Sequence, residues 1–353
     1  MARCDHSAWL ELWQSEAGPL INHGWRLPQI TKSLPSPSEQ TPQITFFLGR
    51  HLKEKALRSL CESNYKGPRR RHAVNIRTDN RTLHALHPRL FADCDPTWQA
   101  LQPIIEGTRS CHEDHVLSIG QLPSDCSTHN VIMSRLLFMF VDVICIFADD
   151  VGGLNAVHDM LSKWVRVRSA SSLPLAIRPR VIIVVSNTAH SVTHDILDET
   201  DFFFELNSAH PDLLQVFSDV RLCRLPSDEL SSEARFLSLS ADISKQLHNT
   251  RFTRIKNGVM FSATHLSDLF KLATKNVCLS PADQFDFITA TRQQNPLDRA
   301  FSSHLIDFLR LSGKATLPYE GITSHIASAI LMDAYPPGMH CLWRPFMVAL
   351  PTY

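Results

Sequence analysis

The chain has 353 residues, 44% hydrophobic and 20% charged, a composition that excludes a disordered or low-complexity protein. Its 35 Lys and Arg balance its 35 Asp and Glu, so no net field recruits nucleic acid or an anionic membrane. Nine cysteines without regular spacing or any CxxC pair predict free thiols in a reducing, intracellular, cytoplasmic setting.

Residues 1–43 begin "MARCDHSAWLELWQ", with acidic residues and no apolar core of a secretory signal. They end in the Pro- and Ser-rich "SLPSPSEQTPQ", so 1–43 is expected to be an N-terminal extension and linker. From 44 to 226, apolar runs alternate with helical patterns. Strands are expected at 44–48, 73–78, 88–92, 141–147, 180–186 and 219–224, and helices at 53–62, 128–139, 153–167 and 193–206. "VDVICIF" and "RVIIVV" are continuous apolar runs, the mark of strands buried on both faces of a parallel sheet. Val157, Met160, Leu161, Trp164 and Val165 form a helical stripe. The 73–78 and 88–92 strands have no helix between them and are expected to pair antiparallel through a turn near Asp79 and Asn80. The basic run Arg69-Arg70-Arg71-His72 follows Gly67-Pro68 and reads as a solvated loop. The most apolar window, Leu136 to Ala148, is 13 residues long and contains Asp142, too short to span a bilayer. It is expected to be a buried helix running into a buried strand. Beyond 227 the patterns are helical only, predicting an all-helical domain over 227–335. The last stretch, 336–353, is apolar and broken by proline, an irregular tail of the kind that continues into a longer protein.

The stretch "ITFFLGRHLKEKAL", Ile44 to Leu57, has the outline of a phosphate-binding loop: a strand, then Gly49, then lysines at 53 and 55, then a helix. Such a loop needs G-x-x-x-x-G-K-[ST], so that backbone N–H groups wrap phosphate, lysine adds charge and a hydroxyl holds magnesium. Here Glu54 stands at the second glycine, Lys55 at the lysine and Ala56 at the hydroxyl. A carboxylate about 4 Å from a bound anion costs roughly 4 kcal/mol at an effective dielectric of about 20, which Arg50 and Lys53 could offset. Downstream, Asp93 ends the strand "RLFAD", but Pro96 follows where a glycine N–H would sense a terminal phosphate, and proline has no N–H. "RVIIVVSNTAH" ends in Asn187 without the lysine and aspartate of an N-K-x-D guanine-reading motif. These three eroded motifs, each ending the appropriate strand, resemble a GTPase core. The resemblance implies a mostly parallel, three-layer α/β P-loop fold with one antiparallel hairpin edge. It also implies a degenerate nucleotide site at Gly49, Lys53, Lys55, Asp93 and Asn187, holding a nucleotide with magnesium weakly or not at all. An NTPase using Asp93 or Asp149 for magnesium is the alternative.

Other chemistry is sparse. Cys111, His112, His115, Cys126 and His129 are the densest metal-capable group, and Cys111, His115, Cys126 and His129 are weak zinc candidates without a standard spacing. Asp149-Asp150 before Gly152-Gly153 reads as a helix cap and turn, or as the rim of a residual site. No serine or cysteine sits in a recognisable nucleophile context.

The phrases "LHPRLFADCDP", "VDVICIFADDVGGLNAVHDMLSKWV", "RVIIVVSNT", "FITATRQQNP" and "HIASAILMDAYPPGM" resemble the N-terminal region of large fungal patatin-like proteins. There a GTPase-like module and a helical segment precede a lipid acyl hydrolase domain. The resemblance spans roughly 40–340. The hydrolase requires G-x-S-x-G, which does not occur here, so the expectation is a regulatory or interaction module without lipase activity, with a protein partner or downstream domain. A fragment of a phospholipase whose catalytic domain lies elsewhere is a further alternative.

Overall fold

The computed structural model describes residues 7–63, 73–96, 102–103, 115–122, 126–186, 192–287, 289–290, 300–315 and 318–334. In chain order the strands are β1 (Ala8–Ser15), β2 (Gly18–His23), β3 (Gln43–Leu48), β4 (Ala73–Thr78), β5 (Arg89–Cys94), β6 (Gln102–Pro103), β7 (His115–Ser118), β8 (Val143–Phe147), β9 (Arg180–Ser186) and β10 (Asp219–Leu225). The helices are α1 (Arg26–Ser33), α2 (His51–Leu60), α3 (Thr128–Arg135), α4 (Ala148–Val151), α5 (Leu154–Val167) and α6 (Val192–Ala209). They continue with α7 (Leu213–Val216), α8 (Ser232–Arg235), α9 (Leu237–Lys256), α10 (Ala263–Leu279), α11 (Phe301–Lys314) and α12 (Tyr319–Ala334).

The strands form a mixed sheet in the order β10-β9-β8-β3-β5-β4-β1-β2-β7, with β6 alongside β1. β10, β9, β8, β3 and β5 are parallel. β4 runs antiparallel to β5, with Asn75 opposite Asp93, and β1, β2 and β7 continue antiparallel beyond it. Every residue of β3 and β8 is buried. Their side chains alternate between two cores, as a pleated strand covered on both sides requires. Phe46, Leu48, Ile144 and Ile146 face the core formed with α1, α3, α5 and α10. Phe47, Val143, Cys145 and Phe147 face the core formed with α2 and α9.

Two boundaries differ from the sequence reading. Residues 1–43 are not an extension: β1 and β2 are strands of the sheet, and Trp9, Leu10, Leu12 and Ile21 are fully buried. The Pro- and Ser-rich segment is tied down, since Gln40 Nε2 donates to the carbonyls of Leu83 (2.8 Å) and Ala85 (2.7 Å). The helices after 227 do not form a separate domain up to α10. Leu239, Ile243 and Leu247 of α9 share a core with β8, β9 and β10. Leu266, Leu269, Phe270 and Ala273 of α10 belong to the core on the other face. α9 is further pinned where Gln43 Nε2 donates to Leu247 O (2.8 Å) and Arg254 Nε donates to the buried Asp142 (2.9 Å). The other oxygen of Asp142 accepts from Ile44 N–H (2.9 Å), joining β3, the start of β8 and α9. Among the described residues no helix is long and apolar enough to cross a membrane.

Candidate functional site

In an open α/β sheet, ligands gather beyond the carboxyl ends of the strands where the strand order reverses. Here that point lies between β3 and β8, because successive parallel neighbours of β3 fall on opposite sides of it. Beneath it Phe47 meets Phe91 and Phe147 edge-on, at centroid distances of 5.6 and 5.5 Å. Such contacts are worth about 0.5–1.5 kcal/mol each and fix the ends of β3, β5 and β8 relative to one another.

The connection from β3 to α2 is only Gly49 and Arg50, with the helix beginning at His51 rather than at 53. α2 has no capping side chain of its own. Its cap comes from Asp150, on α4 at the end of β8. One oxygen of the Asp150 carboxylate accepts from Arg50 N–H (2.7 Å) and Lys53 N–H (2.9 Å), and the other from Leu52 N–H (3.1 Å). A helix N-terminus presents unpaired N–H groups and positive potential, the elements of an anion site. In this protein a carboxylate of the same chain fills that position. The turn behind it is set by Gly152 and Gly153, at φ +110° and +90°, whose N–H groups both donate to Ala148 O (3.1 and 2.8 Å). Gly49 is required by space: a Cβ there would lie 2.7 Å from Asp150 Oδ2 and 3.0 Å from Phe147 Cβ.

Lys53 points down from α2 into the sheet. It is 4% exposed, and its ammonium donates to Asp93 Oδ2 (3.1 Å) and Cys94 O (3.2 Å). The second Asp93 oxygen accepts from Arg77 on β4 (2.7 Å), so the buried carboxylate lies between two buried cations. Glu54, expected to threaten an anion, lies 3.7 Å from Lys53 Nζ instead. Lys55 is exposed on α2. Arg50 pairs with Asp95 (3.2 Å), just before Pro96. Asp149 is turned to the other side, accepting from Ser186 N–H (3.1 Å) at the end of β9. Asn187 lies outside the described residues.

Gly49, Lys53 and Asp93 therefore converge, and Lys55 does not join them. Arg77 was missed as part of the cluster, and Asp150 was read with Asp149 as a helix cap and turn or a residual rim, without its place on α2. An arginine inside the apolar strand "AVNIRT" was a usable signal, since a buried charge demands a partner on a neighbouring strand. Which helix Asp150 caps had no such signal, because its partners are backbone groups 97 to 100 residues away.

The zinc candidates are dispersed. Cys111 lies outside the described residues. His115 is on β7, stacked on His23 at 5.1 Å. Cys126 packs against the core, and His129 is buried on α3, its ring against Asn130. Among the described residues no three His, Cys, Asp or Glu converge as a metal site. One Ser–His contact is short, with His210 Nε2 at 2.6 Å from Ser162 Oγ, but Ser162 donates its proton to His158 O (2.8 Å). The ring is then the donor to the hydroxyl, the reverse of general-base activation.

No family model matches the chain, and no curated relative matches it. Among solved structures, the siderophore hydrolase EstA from Aspergillus nidulans is 11% identical, with 68% of this chain and 93% of that chain covered and a TM-score of 0.26. A likeness of that size carries no argument about fold or chemistry.

Proposed function

We propose that the protein is a GTPase-like module whose nucleotide site is closed by its own side chains, and that it acts by regulation or protein interaction rather than by turnover. The observation that carries this reading is the Asp150 carboxylate held by three N–H groups at the start of α2. A phosphate entering that position would have to displace it. Asp93, the magnesium candidate, is supported in the same sense by its two buried cationic partners. The parallel strands β3, β5, β8, β9 and β10 with β4 antiparallel beside β5 agree with the strand, loop, helix and hairpin order of a GTPase core. Association with a patatin-like hydrolase, on a partner or a downstream domain, rests on the quoted sequence phrases. It is supported by exposed apolar residues on α11, among them Ile306, Leu309 and Leu311.

The test is thermal unfolding with ATP, GTP and GDP, with and without magnesium. A ligand at a hundredfold excess over its dissociation constant adds about 2.7 kcal/mol of stability. No magnesium-dependent shift is expected from any of the three. A clear one would establish the alternative, an NTPase with unconventional magnesium ligands, and overturn the closed-site reading.

A further inference from the structure

A second concavity lies at the β2–β7 edge, with three strands, β5, β4 and β1, separating β2 from β3. It is a cleft of about 480 Å³ between α1, α10 and the paired ends of β2 and β7. That volume falls in the range that holds a whole small molecule, about 300–1,000 Å³. Its walls divide by chemistry. Leu27, Pro28 and Phe270 make an apolar side. His23 and His115, opposite one another in the β2–β7 register, stack at 5.1 Å with their planes 19° apart. Lys271 of α10 and Lys32 of α1 stand on the rim, Lys32 with its ammonium 4.7 Å over the Trp25 ring. Asp268 is the one carboxylate among the described lining residues. Burial first, and then the neighbouring His115, Lys271 and Lys275, hold the His23 imidazole down to about 4. The Trp25 N-cap makes no side-chain bond to the first turn of α1, which has no acidic residue.

A pair of exposed ammonium groups beside an apolar wall suits a ligand that is anionic at one end and carbon-rich at the other. We propose that this cleft binds a small soluble organic phosphate, its phosphate between Lys271 and Lys32 beside the two histidines, its organic part against Leu27, Pro28 and Phe270. The site is independent of the closed α2 terminus.

Titration calorimetry of the full chain with phenyl phosphate, inorganic phosphate and benzyl alcohol tests it. Phenyl phosphate is expected to bind saturably and more tightly than either half-ligand. Lys271→Gln and Lys32→Gln are each expected to weaken it about tenfold, the scale of one charge-assisted contact. Both lysines are exposed, so the variants should keep the parent's unfolding midpoint. Absence of saturable binding, or binding undiminished in the Lys32→Gln/Lys271→Gln double variant, overturns the proposal. So does sedimentation with phosphatidate vesicles by a protein that ignores phenyl phosphate, because the phosphate would then belong to a membrane surface.

Discussion

Lys53 Nζ lies 3.1 Å from Asp93 Oδ2, with both side chains buried and Arg77 bound to the other oxygen of the same carboxylate. The residues that a nucleotide site would present to phosphate and magnesium are thus engaged with each other. Removing the carboxylate leaves two buried cations without their shared partner. Breaking a buried pair in this way costs about 3–5 kcal/mol. Asp93→Ala is expected to lose that much in urea unfolding without any nucleotide present. A loss under about 1 kcal/mol would show that Asp93 is not a structural keystone.

Asp150 behaves as a resident anion, so its removal should create a vacancy for a foreign one. Asp150→Ala is expected to be destabilised by about 1–2 kcal/mol, the ordinary cost of losing a cap. In that variant inorganic phosphate or sulfate should restore part of the loss at millimolar concentration, while the parent gains nothing from the same position. Equal responses in parent and variant, after subtraction of the Lys271-dependent binding, would sink the idea.

Gly49 and Asp150 should couple energetically. Gly49→Ala places a methyl group 2.7 Å from the carboxylate, an overlap that must push Asp150 or α2 aside. Overpacking of this kind costs about 1–3 kcal/mol. In the double variant with Asp150→Ala the first obstruction is gone, although Phe147 Cβ remains at 3.0 Å. The loss in the double variant should therefore fall short of the sum of the two single losses by at least about 0.5 kcal/mol. Strict additivity would mean that the contact does not govern the glycine.

Acid should weaken the fold through buried histidine. Burial of His129 on α3 depresses it from 6.5 to about 4, against a smaller opposing effect of its hydrogen bond with Asn130. Between those values the unfolded chain binds a proton that the native protein refuses. Stability from this group is present above pH 6.5 and is lost as pH falls toward 4, by about 1.4 kcal/mol per pH unit. His23 acts with the same sign over the same window. Asp142 opposes them, since burial raises it and the native state takes up its proton early. His129→Leu should lose about 2 kcal/mol less than the parent between pH 6.5 and 4.5, by urea unfolding. An unchanged pH slope would refute the assignment.

The sequence announced the central sheet well because its signals are local. The continuous apolar run at 180–186 and the strand expected at 73–78 became β9 and β4 with the expected limits, and the stripe ending in Trp164 and Val165 became the buried face of α5. β1 and β2 were hidden because "AWLELWQS" carries polar residues whose burial depends on strand neighbours. Glu11, for instance, is buried and accepts from Asn22 (3.2 Å). The split at 227 followed a change of period from strand to helix. Such a change does not reveal that α9 and α10 cover the two faces of the same sheet. Of the candidate site, Gly49, Lys53 and Asp93 were visible as remnants of a motif. What replaced the ligand was not visible, because a carboxylate bonded to distant backbone N–H groups leaves no pattern along the chain.

The placement of α10 against α1, β2 and β7 bears on how the protein is made. Partners such as Gln43 and Leu247 are separated by 204 residues. Contacts of that separation form slowly, and a chain leaving the ribosome acquires them last. The amino-terminal hairpin therefore stays only partly covered, with Trp9 lacking Phe270, until α10 has emerged. During synthesis that interval is when a chaperone has most to hold, and a fragment ending at 226 would never leave it.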